Sequence, residues 1–311
     1  MATSHYVFSI QAAEGEVVSP GGIAEVIRWA ESSIAGSVAM AFQLRSSLKG
    51  SPDWLQAAAA IRVVGADVQA GNAELSFATE AFGETAASYD RQPTLFWTPP
   101  DPEETGFEVL ASVMRDVAAR LVDSRRFDAQ LLRRVASLRR FSRYGVEAVT
   151  ISGGRVQGRE ALTVNADVLK QAAELSKETP PPVASRVMGS LDTIRSSDAS
   201  FIMTLHGGER LHGLWLPADR TQLGKLWGGR IVIEGTAIFR PSGALLRVEA
   251  KLMRKAEESE QFFSVVPQAH AGRKTMHTQA LRLEPSVDLA GWPGVEGDEE
   301  ILAGIRRLGG V

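Results

Sequence analysis

The stretch RIVIEGTAIFRPSGALLRVEA, Arg230 to Ala250, alternates apolar and polar residues on both sides of a Pro-Ser-Gly break. Successive side chains on a strand point to opposite faces, so this pattern fits two paired strands with one buried face and does not fit a helix. In the first strand Ile231, Ile233, Ala237 and Phe239 share a face opposite Glu234, Thr236 and Arg240. In the second, Leu246, Val248, Ala250 and Leu252 oppose Arg247, Glu249 and Lys251.

Three further strands precede this pair: RVMGSLDTI, SFIMTLHG and ERLHGLWLP, the last two joined through Gly207-Gly208. Glycine accepts the positive φ of a tight hairpin turn without strain. ADRTQLGKLWGG then reads as a short helix. Three strands, a helix and two strands is the element order of the OB fold, which Val183 to Lys255 resembles in order, length and helix placement. The resemblance covers under a quarter of the chain and rests on no diagnostic motif. It implies a closed five-stranded barrel that binds through the face of its second and third strands and through the loops joining one to two and four to five. Barrels of this kind take single strands, oligosaccharides or proteins, so the resemblance fixes no ligand.

The first half reads as a mixed layer of helices and hairpins. HYVFSIQ is a strand, and Ser19 caps a helix that has Pro20 at its first position and a stripe of Ile23, Ile27 and Ile34. Gly36 is expected to divide that helix in two. AIRVVGADV and NAELSFATEAF form a hairpin. Beyond WTPPDPEE come two helices, one striped by Phe107, Leu110, Met114, Val117 and Leu121, the other running from Phe127 to Arg143. A short hairpin at GVEAVTISGGRVQG and a helix from Asn165 to Ser176 follow.

The expected class is therefore α+β: an N-terminal domain over 1–177, a proline-rich linker over 178–185, the barrel over 186–255 and a helical extension over 256–311. Three consecutive prolines in KETPPPVAS favour an extended spacer. EESEQFFSVV is expected to add a helix against the barrel. The end, with Asp298 to Glu300 opening a helix that Arg306 and Arg307 close, is similar to Trp-Pro-Gly acidic-helix tails of small bacterial proteins.

Composition narrows the functions. With 311 residues, 44% apolar and 23% charged, the chain buries a substantial core. There are no cysteines, which removes disulfides, thiolate metal sites and cysteine nucleophiles together. Neither a basic segment leading into an apolar run nor an apolar stretch of membrane-spanning length is present, so the expectation is a soluble, cytoplasmic bacterial protein without membrane contact. His206 and His212 form at best a weak metal pair, with no third ligand at a recognisable spacing. No HExxH, GxSxG or Walker A pattern occurs, and no catalytic residue and no cofactor is expected.

Charge suggests binding. The whole chain carries −3, yet Val183 to Lys255 holds eleven Lys and Arg against six Asp and Glu, a net +5. Arg195 falls between strands one and two, Arg240 opens the loop between four and five, and Arg210, Arg247 and Lys251 are candidates for the outer faces. Phe201 and Trp215 are the candidate rings for stacking bases. Arg126, Arg133 and Arg140 recur at seven-residue intervals in SRRFDAQLLRRVASLRRFSR, either as a phosphate-contacting face or as partners of the acidic helix bearing Asp101, Glu103, Glu104, Glu108 and Asp116. The leading functional expectation is a non-catalytic adaptor that docks other proteins of one assembly. The alternative is a binder of single-stranded nucleic acid using the barrel and the arginine-rich helix. The third is an enzyme of unrecognised type.

Overall fold

The computed structural model describes residues 3–48, 50, 52–69, 71–87, 100–137, 143–156, 161–195, 199–217 and 221–269. The chain clusters into two compact units, Met1–Ala271 and Gly272–Val311. The expected terminal helix, with His270 and His277, lies outside the described residues.

The first layer is a five-stranded antiparallel sheet. Strand β1 (Thr3–Ala12) leads into helix α1 (Pro20–Gln43), and the short α2 (Asp53–Ala59) leads into the hairpin β2 (Arg62–Gln69) and β3 (Asn72–Glu80). Helices α3 (Phe82–Thr85), α4 (Gly106–Ala118) and α5 (Ala129–Ala136) precede β4 (Val146–Gly153), β5 (Leu162–Val164) and α6 (Ala166–Glu178). The spatial order β2-β3-β1-β4-β5 places β3 between β1 and β2, the split β-α-β arrangement. Tyr6, Phe8 and Ile10 of β1 face Phe77, Leu75 and Ala73 of β3 across the register, and this side of the sheet is buried under the helices. The expected turn at Gly145 to Gly158 is present, with Gly153 and Val156 bridged antiparallel, but β4 goes on to pair with β5 beyond that stretch and with β1 on its other edge, which puts Val149 and Ile151 in the core.

Capping follows the sequence closely. The Ser19 hydroxyl accepts from the Gly22 N–H at 3.1 Å, and Asn165 accepts from the Val168 N–H at 3.1 Å. The expected break at Gly36 does not occur. Helix α1 runs unbroken through it, and a Cβ there would stand 2.9 Å from both Leu131 Cδ1 and Arg134 Nη1 of α5. Gly36 marks a close helix approach, not a helix end.

The second layer is a closed barrel of β6 (Val183–Arg195), β7 (Ser200–Thr204), β8 (Arg210–Trp215), β9 (Arg230–Phe239) and β10 (Leu245–Lys255). Its order is β10-β8-β7-β6-β9, with β9 closing on β10. All pairs are antiparallel except β8 with β10. Helix α7 (Thr221–Leu226) joins β8 to β9, and a 3-10 helix (Glu258–Phe263) replaces the longer helix expected after the barrel. Only Thr179 to Pro182 separate α6 from β6, so the proline boundary falls inside the first compact unit. Among the described residues no helix is long and apolar enough to cross a membrane.

Two bulges in β10 alter the alternation that the sequence displays. The register shifts between Leu245 and Arg247 and again between Ala250 and Leu252. Val248 and Ala250 point into the barrel core, Leu246 joins the core of the first layer, and Leu252 is exposed. A bulge inserts one residue and turns the following side chains to the other face.

Candidate functional site

The outer face of the barrel where β6, β7 and β8 lie side by side carries Thr193, Arg195, Ser200, Ile202, His212 and Leu214. The C-terminal end of α1 sits on it, with Phe42, Gln43 and Leu44 completing the walls of a cavity of about 50 Å³. That volume holds a few water molecules, since one water needs ~10–15 Å³.

Leu44 makes this docking specific. It caps α1 in the left-handed region at φ 53°, with its N–H closing on the Met40 carbonyl at 2.8 Å. This conformation costs a non-glycine residue roughly 1–2 kcal/mol. It also turns the Leu44 carbonyl toward β10, where Arg247 Nη1 donates to it at 2.7 Å. The same Nη1 donates to Asp128 Oδ2 at 3.4 Å, while Arg247 Nε and Nη2 donate to Glu249 Oε1 at 3.1 and 2.9 Å. Asp128 is itself the N-cap of α5, accepting from the Gln130 and Leu131 N–H groups, and it accepts from the Ser46 hydroxyl at 2.6 Å. Burial alone would push the Asp128 carboxyl up, but Arg247, Ser46 and the Leu131 N–H outweigh it and hold the carboxyl below its ordinary value.

A second seam lies alongside. Arg240 Nη1 donates to the Asp123 carbonyl at 3.1 Å and Nη2 to the Leu245 carbonyl at 3.1 Å. The Ser242 hydroxyl donates to Asp123 Oδ1 at 2.5 Å, and the Ser242 N–H donates to the Val122 carbonyl at 3.2 Å. The loop joining β9 to β10 is thus fastened to the loop joining α4 to α5. Arg240 Nε is buried there without an acceptor among the described residues. His212 faces the same seam, and burial, with Arg125 and Arg240 nearby, pushes its pKa down to about 4. It is a neutral imidazole at pH 7.

The structure separates the residues singled out from sequence. Arg195, Arg247 and His212 converge on the cavity, with Arg240 at the seam beside it. Phe201 and Trp215 do not present rings outward: both are buried in the barrel core, where the Phe201 ring fills the space over Gly213. Arg247 does lie on the outer face, opposite Val248 and Ala250, but is only 5% exposed because the end of α1 and the start of α5 pack over it. Arg126 pairs with Asp116 at 2.9 Å, as the acidic-helix alternative anticipates, but Asp101 and Glu103 are taken by Arg155. Arg133 is exposed and donates back to the Ala129 carbonyl of its own helix. Arg210 and Lys251 are exposed on separate parts of the barrel, and Lys251 lines a groove with Arg186, Glu234 and Leu252. Arg140 lies outside the described residues. His206 sits on the β7–β8 turn with its N–H donating to Ser264, and no group of three His, Asp or Glu able to hold a metal occurs among the described residues.

Sequence reasoning missed Leu44, Ser46, Asp123 and Asp128. Only the Asp128 cap position carried a signal, an aspartate immediately before the helical stretch AQLLRRVA. The fold and the seam together define the class: a split β-α-β layer fixed to a closed five-stranded barrel through a buried Asp–Arg contact. No protein-family model and no curated protein sequence matches the chain.

Proposed function

We propose that this chain is a non-catalytic adaptor built on an OB-type barrel whose usual ligand face serves as an internal docking surface. The barrel reading is supported by strand order: counted from β6, the strands run one-two-three-five-four around the barrel, with a helix between three and four and a parallel contact between three and five. In barrels of that type the ligand meets strands two and three and the loop joining four to five. Here the corresponding β7–β8 face meets Phe42 and Leu44, and the β9–β10 loop meets Val122 and Asp123. The observation that carries the reading is Arg247, an arginine of the barrel neutralised by Asp128, Glu249 and the Leu44 carbonyl.

An adaptor presents rigid, partly apolar outer surfaces, and Trp227, Phe262 and Val265 are 68%, 69% and 63% exposed on the barrel and its extension. The test is affinity purification of the tagged full chain from its own host, with cross-links mapped by mass spectrometry. Stoichiometric partners cross-linked to these surfaces are expected. Emergence of the chain alone at every salt concentration overturns the reading.

One observation favours single-stranded nucleic acid as a second reading. Exposed Arg125 stands beside partly buried Arg240 at the edge of the seam, so a phosphate arriving there meets the Arg125 guanidinium directly with the Arg240 charge behind it. Fluorescence anisotropy with labelled single-stranded oligonucleotides at low salt separates the two. Saturable micromolar binding that falls steeply with salt supports this reading, and its absence ends it.

A further inference from the structure

Among the described residues strand β2 is the edge of the first sheet, and it is exposed along its length. Val63, Val64 and Val68 are 49%, 54% and 53% exposed, an apolar set unusual for an unpaired edge. The register with β3 assigns the faces of all but Val64, the extra residue of a bulge. Val63, Ala66 and Val68 lie opposite Phe77, Leu75 and Ala73 on the helix side of the sheet, whereas Arg62 and Asp67 lie opposite Ala78 and Glu74 on the open side. The two series are out of step by one residue because a bulge intervenes between Val63 and Gly65.

The open side carries an unbalanced pair. Asp67 stands directly across from Glu74, and among the described residues neither carboxylate has a cation within ion-pair distance. Like charges directly opposite on neighbouring strands destabilise a sheet. Arg62, on the same side, is exposed and shares one guanidinium nitrogen with Glu80 at 3.2 Å.

We propose that two copies of this chain join through β2, antiparallel and edge to edge, about a two-fold axis between Val64 and Gly65. In that register Arg62 lies opposite the partner's Asp67, Val63 opposite the partner's Ala66, and Ile61 opposite the partner's Val68. Three independent features agree on it. Each pair matches in face, because the bulge of one copy meets the bulge of the other and the two shifts cancel. Each carboxylate pair of Asp67 and Glu74 gains an arginine, twice over by symmetry. The backbone phase also agrees. In an antiparallel ladder the N–H and C=O groups of every second residue point to one neighbour and the rest to the other. With Gln69 and Asn72 closing a two-residue turn, the backbone groups of Val68 and Ala66 face the free side, and past the bulge those of Val63 take the same phase. Those are the residues that the two-fold register sets opposite one another. The result is a continuous ten-stranded sheet in which a strip of Ile61, Val63, Ala66 and Val68 packs against its own copy. This inference stands apart from the adaptor reading, since a dimer forms or fails to form whether or not the chain has other partners.

Sedimentation velocity of the full chain from low to high micromolar concentration is the experiment. A dimer is expected. Asp67→Arg sets like charges across the axis and is expected to weaken dimerisation by roughly tenfold or more, about 1.4 kcal/mol. Adding Arg62→Asp to the same chain is expected to restore it. Ala66→Pro removes an N–H aimed at the free side and spares the β3 ladder, so it is expected to give a monomer with an unchanged circular dichroism spectrum. If Ala66→Pro unfolds the chain, the charge exchange alone decides. A monomer at all concentrations overturns the proposal, as does a dimer insensitive to both Asp67→Arg and the exchange.

Discussion

Arg247 donates to the carbonyl of Leu44 across 203 positions of sequence, at 2.7 Å. This bond ties the end of α1 to a barrel strand, and its donor is simultaneously the counter-charge of Asp128. Both side chains of the pair are 6% exposed, so neither charge has water to fall back on. The orientation of the two layers is therefore coupled to the ionisation of one buried pair.

Replacing Arg247 by Met keeps most of the volume and removes the charge, leaving Asp128 ionised and buried. The expected loss is about 3–5 kcal/mol in urea unfolding. Asp128→Asn retains the helix cap and lowers the charge, so the double variant is expected to lose less than the two single losses added together. Additive losses would show that the two residues do not act as a pair.

His212 gives stability a pH dependence. Its folded pKa of about 4 lies below the unfolded value, so the unfolded chain binds the extra proton first. The contribution is complete above pH ~6.5 and is lost as pH falls toward the folded value, with a slope approaching ~1.4 kcal/mol per pH unit in between. Asp128 acts in the same direction at lower pH, its carboxyl being held below the ordinary range. His212→Gln is expected to flatten the unfolding free energy between pH 6.5 and 4, and an unchanged slope would show that the imidazole does not carry it.

Gly213 is the floor on which the Phe201 ring rests: a Cβ there would stand 2.0 Å from Phe201 Cζ. Gly213→Ala is expected to destabilise the barrel by about 1–3 kcal/mol through overpacking. Phe201→Leu in the same chain frees that space and is expected to recover part of the loss. Thermal unfolding of the single and double variants reads this out, and a Gly213→Ala chain as stable as the parent would contradict the packing.

Tyr6 donates to Glu108 Oε1 at 2.9 Å within a buried cluster that includes Thr105 and the Arg155 N–H. Burial, the largest cause, raises the Tyr6 pKa, and the neighbouring Glu108 charge raises it further, so the phenol stays protonated as donor. Tyr6→Phe is expected to cost about 1–3 kcal/mol by removing a hydrogen bond to a carboxylate. Glu108→Gln keeps an acceptor and is expected to cost less than Glu108→Ala, a ranking that chemical unfolding can check.

Much of the architecture is written locally. The alternation at Ile231, Ile233, Ala237 and Phe239 specifies a strand with one buried face, and those four residues occupy the barrel core. Ser19 before Pro20 and Asn165 before its apolar stripe fix two helix starts, because a side-chain oxygen three residues from an N–H needs no distant partner. The polarity of Arg247, Arg240 and Arg126 was equally visible, but their availability was not. Whether an arginine meets water or a carboxylate depends on what packs over it.

The sequence by itself determined the five barrel strands, their order around the helix and the Ser19 helix start, since each rests on the periodicity or spacing of neighbouring residues. Only the tertiary structure decided that Leu246 turns into the first layer, that Gly36 receives α5 and that Asp128 neutralises Arg247. Those outcomes join residues about a hundred positions or more apart. Burial of charge and close approach of helices are properties of the assembled layers, where the low dielectric and dense packing that enforce them first exist.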